Sequence, residues 1–233
     1  MRPLSSSASA VVLAAGTIAM GLTGCDQPQK GALSGGWCHA AAADSATLVM
    51  LDDLEDGDGL GCPSLAGPWS VEATGTSMPA PGQPVKPHEV TVELPASHPA
   101  PSYRALYLSG SLVAGQYAQL TLTLASVDLN DYKEIDFWSR SDPNPSLILS
   151  IGVVTAAGAF WSDGLRGRGA MIQSAWGDSG GSNNVALAAL EDPDGQRITA
   201  EALAASSAIV FRYQAPADGV FGFWVDDVQL KRK

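Results

Sequence analysis

IVFRYQAPADGVFGFWVDDVQL, residues 209–230, decides the fold. Two runs, 208–214 and 220–230, are dominated by Val, Ile, Phe, Tyr and Trp, side chains that fit a pleated and half-buried surface. Between them, 215–219 holds Pro216, Asp218 and Gly219, the residues of turns, so the two runs read as closing strands. The pattern recurs upstream. In 119–125, Leu120, Leu122 and Leu124 face one way and Gln119, Thr121 and Thr123 the other. In 104–109, Leu106 and Leu108 share a face with Arg104, and Ala105, Tyr107 and Ser109 take the opposite face. In 133–140, Ile135 and Phe137 oppose Asp136, Trp138 and Arg140. A period of two puts one face on a core and leaves one for solvent or ligand, the mark of antiparallel sheet.

The rest of the chain fits the same class. Residues 47–51 and 69–73 read as short strands around a Gly/Pro/Asp loop at 57–68. Residues 79–101 are Pro-rich, carry His88 and His98, and hold one extended segment at 89–94. Asp142-Pro143-Asn144-Pro145 is a turn, and 146–155 is almost continuously apolar, as a central strand would be. The Gly-rich stretch 158–184 reads as loops around a weak strand at 170–173, and 186–191 as a further strand or loop. Residues 199–205 are the one helical turn, and no internal repeat is visible. Short strands with frequent turn signals predict a sandwich or barrel rather than βαβ units.

The N-terminus reads differently. Arg2 precedes an apolar run from Ala8 to Met20, the n-region and h-region of an export signal. The run ends at Leu22-Thr23-Gly24-Cys25, which resembles the lipobox of bacterial lipoproteins. That resemblance implies a signal peptide at 1–24, cleavage before Cys25, diacylation of its thiol, and an exported lipoprotein on the outer membrane or cell surface. A membrane-spanning anchor is the alternative. Ser5, Ser6, Ser7 and Ser9 break its start, and the clean stretch is short for ~30 Å of hydrocarbon. Residues 25–46, rich in Gly, Ala, Ser and Gln, read as a lipidated tether, and 47–233 as one β-sandwich domain.

Charge narrows the partners. The formal charge is −11, and removing Arg2 with the leader makes it −12. With Lys and Arg scattered rather than clustered, nucleic acid is excluded, and membrane contact would come from the lipid alone. If Cys25 is acylated, Cys38 and Cys62 remain, and an even remainder in an exported chain points to a disulfide. Closing a loop of roughly 25 residues would add about 3 kcal/mol. Two buried free thiols are the alternative.

Four motifs stand in a recognisable order: LDDLEDGDG at 51–59, ALYLSGSL at 105–112, DYKEIDFWSRS at 131–141, and the closing stretch itself. Together they resemble galactose-binding-like jelly-roll domains, including the family 11 carbohydrate-binding modules and their relatives. The resemblance implies an all-β antiparallel jelly-roll sandwich over about 47–230 and a carbohydrate or cell-surface glycan as ligand.

It also implies a metal site. Relatives hold a structural Ca²⁺ through the Glu of the first motif and an Asp of the final strand, which correspond here to Glu55 and to Asp226 or Asp227. The first motif crowds Asp52, Asp53, Glu55, Asp56 and Asp58 together, a density that repels itself unless solvated or neutralised, and Ca²⁺ takes six to eight oxygens. Asp53 joins the expected ligand set. Adjacent strand residues point to opposite faces, so only a bulge would put Asp226 and Asp227 on one side. A solvated acidic loop is the alternative.

For the ligand itself, sugars stack on flat rings flanked by planar hydrogen-bonding groups. Asp136, Trp138 and Arg140 share a face, Tyr107 takes the analogous face of its own strand, and Trp161, with Trp176, lies on loops that would rim a cleft. Packing of these rings under loops is the alternative. Catalysis has little support, since no G-x-S-x-G elbow is present and the densest carboxylates are better explained by a cation. The expectation is a non-catalytic binding domain. A structural or protein-interaction lipoprotein is the competing class, and a hydrolase the lesser one.

Overall fold

The computed structural model describes residues 47–54, 60–62, 65–74, 83–84, 88–89, 104–141, 148–162, 172–173, 175–176 and 181–233. The leader, the tether, Cys25, Cys38, Glu55, the 142–145 turn and His98 lie outside them, as do the side chains of His88 and Trp176. The strands are β1 (Leu48–Asp52), β2 (Ala66–Ala73), β3 (Gln83–Pro84), β4 (His88–Glu89), β5 (Arg104–Leu112), β6 (Tyr117–Leu124), β7 (Tyr132–Ser141), β8 (Ile148–Thr155), β9 (Gly158–Trp161), β10 (Ile172–Gln173), β11 (Ala175–Trp176), β12 (Gly181–Ala186), β13 (Ser206–Gln214) and β14 (Gly219–Arg232). Among the described residues the one α-helix, α1 (Ala200–Ala204), occupies the expected helical turn, and the Thr199 hydroxyl caps it by accepting from the Ala202 N–H.

The strands form two sheets. The first runs β11-β7-β14-β5-β4, with β1 also on β14 and β12 also on β7. The second runs β10-β8-β13-β6-β2-β3, with β9 on β8. Pairing is antiparallel except between β11 and β7. The domain is therefore the antiparallel sandwich that alternation and turn spacing favoured, in the jelly-roll form that the family resemblance implied. The 215–218 turn carries the chain from β13 in the second sheet to β14 in the first, and the 113–116 turn carries it from β5 to β6 in the reverse sense. The two crossings are tied together: Asp218 Oδ1 accepts from the Ala114 N–H at 2.9 Å, the Gly115 N–H donates to the Ala215 carbonyl at 2.9 Å, and the Ala215 N–H donates to the Gln116 carbonyl at 2.8 Å.

The core lies between the sheets. Leu106, Leu108, Ile135, Phe137, Phe221, Phe223 and Val225 come from the first, and Trp69, Leu120, Leu122, Ile151, Val153, Ile209, Phe211 and Tyr213 from the second. Phe137 meets Phe211 edge-on at 5.1 Å and Tyr213 lies 5.2 Å from Phe221, so aromatic contacts bridge the layers. Bulges in the facing strands β1 and β14 interrupt their register. The β1 bulge brings Asp52 opposite Val228, a core residue, and Asp52 becomes a buried acceptor. Its Oδ2 takes the Trp69 indole N–H at 2.6 Å and its Oδ1 the Leu54 N–H at 2.8 Å.

Two segments read as loops are strands. Gly181–Ala186 pairs with β7 from Ser139 to Glu134 despite its sequence GSNNVA, and Gly158–Trp161 pairs with β8. Polar edge strands gain their stability from the partner's backbone, a contribution that their own side chains do not record. β2 also begins earlier than expected, at Ala66, inside the segment read as a loop.

Candidate functional site

The outward face of the second sheet carries a joined polar and aromatic group. On β13, core residues Ile209, Phe211 and Tyr213 alternate with Val210 and Arg212. On β6, Leu120 and Leu122 alternate with Gln119 and Thr121. Arg212 therefore projects outward opposite Gln119, and its Nε and Nη2 both donate to Gln119 Oε1, at 2.8 and 2.6 Å. The Gln119 amide donates onward to Glu72 Oε2 at 3.1 Å, and the Tyr117 hydroxyl donates to Glu72 Oε1. The guanidinium also lies 4.2 Å from the centre of the Tyr117 ring and 4.2 Å from that of Trp161. Burial draws the Arg212 pKa down, while its hydrogen bond to the Glu72 carboxylate pushes the Tyr117 phenol above its ordinary value.

Trp161 is fixed here by backbone on two sides. It pairs with Gly152 on β8, and it exchanges N–H···O bonds of 2.8 and 3.0 Å with Glu191. The next residue, Ser162, accepts from the Ile151 N–H through its hydroxyl at 2.9 Å. The indole lies against the bare backbone of Gly152, where a Cβ would come within 2.5 Å of the ring.

The residues expected to bind ligand divide between the two sheets. Asp136, Trp138, Arg140 and Tyr107 do lie on one face, the outward side of the first sheet, while Ile135 and Phe137 point into the core. Trp161 does not join them, because β9 belongs to the second sheet. Trp138 and Arg140, read as part of a ligand face, are buried, at 3% and 6% exposed. On this face the register aligns Tyr107, Trp224 and Arg140 across three strands. Tyr107 stacks on Trp224 at 4.1 Å, and the Arg140 guanidinium lies 4.6 Å over the same indole. Beside this row, Asp136, Trp138, Ser182, Asn184, Asp227 and Gln229 line a recess of about 200 Å³.

The expected metal ligands are only partly described. In β14 a bulge does intervene at the Asp pair: Asp227 adopts φ 48°, and its N–H donates to Asp226 Oδ1 at 2.8 Å. Asp53 and Asp226 are buried. Among the described residues no three His, Cys, Asp or Glu side chains form a group that could hold a metal ion, and Glu55 lies outside them. Cys62 is buried, and Cys38 lies outside the described residues.

Several solved structures resemble this fold. The family 11 carbohydrate-binding module of the cellulosomal cellulase Lic26A-Cel5E of Clostridium thermocellum superposes with a TM-score of 0.51 at 16% identity. The match covers 80% of this chain and 95% of that one. A family 11 module from the same organism, in complex with a β-1,3-1,4-mixed-linked tetrasaccharide, superposes at 0.52 and 16% identity over 79% and 95% of the two chains. The fold is a jelly-roll β-sandwich like that of these modules. A solution structure described as CtCBM11 gives 0.52 at 13% identity over 82% and 98% of the chains. No family model matches the sequence, and no curated protein does either.

Sequence reasoning missed Tyr117, Gln119, Glu72, Arg212 and Trp224. Alternation put Gln119 on a non-core face, and the quoted closing stretch contains both Arg212 and Trp224. What it could not supply was that residues 45, 47 and 93 positions apart would meet.

Proposed function

We propose that this chain binds carbohydrate without transforming it, through the outward face of the second sheet. The observation that carries the proposal is the joined set Glu72, Gln119, Arg212 and Tyr117. These are planar or hydroxyl-bearing groups, each held by a neighbour and all facing away from the core. Groups fixed in this way can meet sugar hydroxyls with little further loss of side-chain freedom, and preorganisation of this kind raises affinity. Tyr117, half-buried, supplies a ring beside them, and Trp161, 7% exposed, backs the Arg212 guanidinium rather than facing solvent. The modules of like fold support the reading, and one of them is described in complex with a mixed-linked tetrasaccharide. Fold alone does not fix function, so the argument rests on the face itself.

Binding is favoured over hydrolysis because the set contains one carboxylate. Both oxygens of Glu72 already accept hydrogen bonds, whereas glycoside hydrolysis requires a pair of carboxyl groups across the scissile bond. The test is a glycan array followed by titration of the best ligand against Arg212→Ala and Tyr117→Phe. At least a tenfold loss in Arg212→Ala with an intact fold supports the assignment. Unchanged affinity in both variants would move the site elsewhere.

The remaining elements of the proposal follow from the sequence. The chain is exported, anchored through an acylated Cys25, and closed by a Cys38–Cys62 disulfide. A structural Ca²⁺ is held by Glu55 and Asp53 with the Asp226–Asp227 pair. The β14 bulge supports the last of these, since it breaks the alternation that would have sent the two Asp to opposite faces. Fatty-acid labelling of wild type and Cys25→Ser tests the anchor; equal label in both would remove it.

A further inference from the structure

The recess on the first sheet is a second feature, on a different sheet from the face just described. Its floor is β7, where Asp136 and Trp138 project outward. One wall is β12, whose Asn184 and Ser182 stand opposite Asp136 and Trp138 in register. The other wall is β14, whose Gln229 pairs with Asp136 and whose bulge turns Asp227 toward the same space. Three strands thus converge acceptors and amides on one point. Oδ1 of Asp136 is buried there and accepts no hydrogen bond. Lys231, the cation of the neighbouring strand position, is bonded to Glu134 at 3.0 Å.

A buried carboxylate oxygen without a donor is costly, and a ligand donor would relieve it. Size and lining decide which donor. At about 200 Å³ the recess exceeds what a bare cation needs, since a water's share of liquid volume is only ~30 Å³. The walls are amide, hydroxyl and carboxylate around one indole, which fits a hydroxylated ring rather than an alkyl stem. We propose that this recess is a second binding site that takes an aminohexose unit, with the ammonium group donating to Asp136 and the hydroxyls meeting Asn184, Gln229 and Ser182. The chain would then engage two different sugar chemistries on its two faces.

Calorimetric titration of the whole chain with glucosamine, N-acetylglucosamine and glucose tests this, because the three probes share a ring and only the first carries the ammonium group. Glucosamine is expected to bind at least tenfold more tightly than the other two. Asp136→Asn, which keeps the shape, should abolish that preference, and so should Ser182→Trp, which fills the recess from the exposed edge strand. Arg212→Ala, on the other face, should leave it intact. The proposal is overturned if the three sugars bind alike, if glucosamine fails to bind, or if the preference survives Asp136→Asn or Ser182→Trp. Loss of the preference in Arg212→Ala also overturns it, because the effect would then belong to the first face. The comparison of the three sugars on the unaltered chain decides the matter even if a variant fails to fold.

Discussion

Gly152→Ala is a single-methyl perturbation that reaches the proposed carbohydrate face from beneath. An ideal Cβ at Gly152 would stand 2.5 and 2.6 Å from Cε3 and Cζ3 of Trp161 and 3.0 Å from Cδ2. Carbon atoms pack comfortably at roughly 3.5–4.0 Å, so the indole would have to withdraw by about 1 Å. The backbone cannot carry it away, because Trp161 is held by Gly152 on one side and by Glu191 on the other. The ring must tilt instead, and it tilts against the Arg212 guanidinium 4.2 Å away, which in turn rests on Tyr117. Overpacking of this kind costs about 1–3 kcal/mol, and disturbing the arginine–ring contact adds part of a further ~0.5–1 kcal/mol. At about 2–4 °C per kcal/mol for a domain of this size, the melting temperature should fall by roughly 2–16 °C. Binding of the array-selected sugar should weaken in parallel, since Arg212 and Gln119 would lose their alignment. Thermal melts and titrations of the two proteins suffice. A melt within about 1 °C of wild type together with unchanged affinity would refute the packing of Trp161 on Gly152 and its role in holding Arg212.

Phe137→Ala should cost about 3–5 kcal/mol in urea unfolding, because Phe137 is buried against Phe211 at the centre of the sandwich; a loss under about 1 kcal/mol would contradict that placement. Asp136 gives a pH signature. Burial raises its carboxyl pKa above the ordinary value, so the folded state keeps the proton longer than the unfolded state does. Its contribution to stability is full below the unfolded pKa and is lost as pH rises through the folded one. Asp136→Asn should therefore gain stability relative to wild type at pH 7 but not at pH 3, as read from urea midpoints; a difference independent of pH would exclude the titration. For the proposed metal, chelation should lower the melting temperature and Ca²⁺ should restore it, with Glu55→Ala removing the response; an identical melt with and without chelator would leave the acidic motif as a solvated loop.

Alternation along the strands determined a good deal by itself. It separated Ile135 and Phe137, which enter the core, from Asp136, Trp138 and Arg140, which do not, and it put Leu120 and Leu122 opposite Gln119 and Thr121. Strand composition and turn chemistry are local properties that a sequence carries openly, and they pointed to a sandwich or barrel; the order of the four motifs, through their resemblance to a known family, pointed to the jelly roll. Whether a non-core face is open was not local. Trp138 faces away from the core yet is 3% exposed. Which sheet a strand joins was not local either: Trp161 was grouped with Trp138, and the structure puts it on the other sheet, beside Arg212. The β12 strand was hidden because GSNNVA owes its conformation to β7 rather than to its own side chains. The candidate carbohydrate face was least legible of all. Tyr117, Gln119, Glu72 and Arg212 come from three strands spread over 141 positions of the sequence, and only sheet pairing brings them within hydrogen-bond reach. A period of two states which side of its own strand a residue occupies; only the tertiary structure supplies the strand that lies beside it.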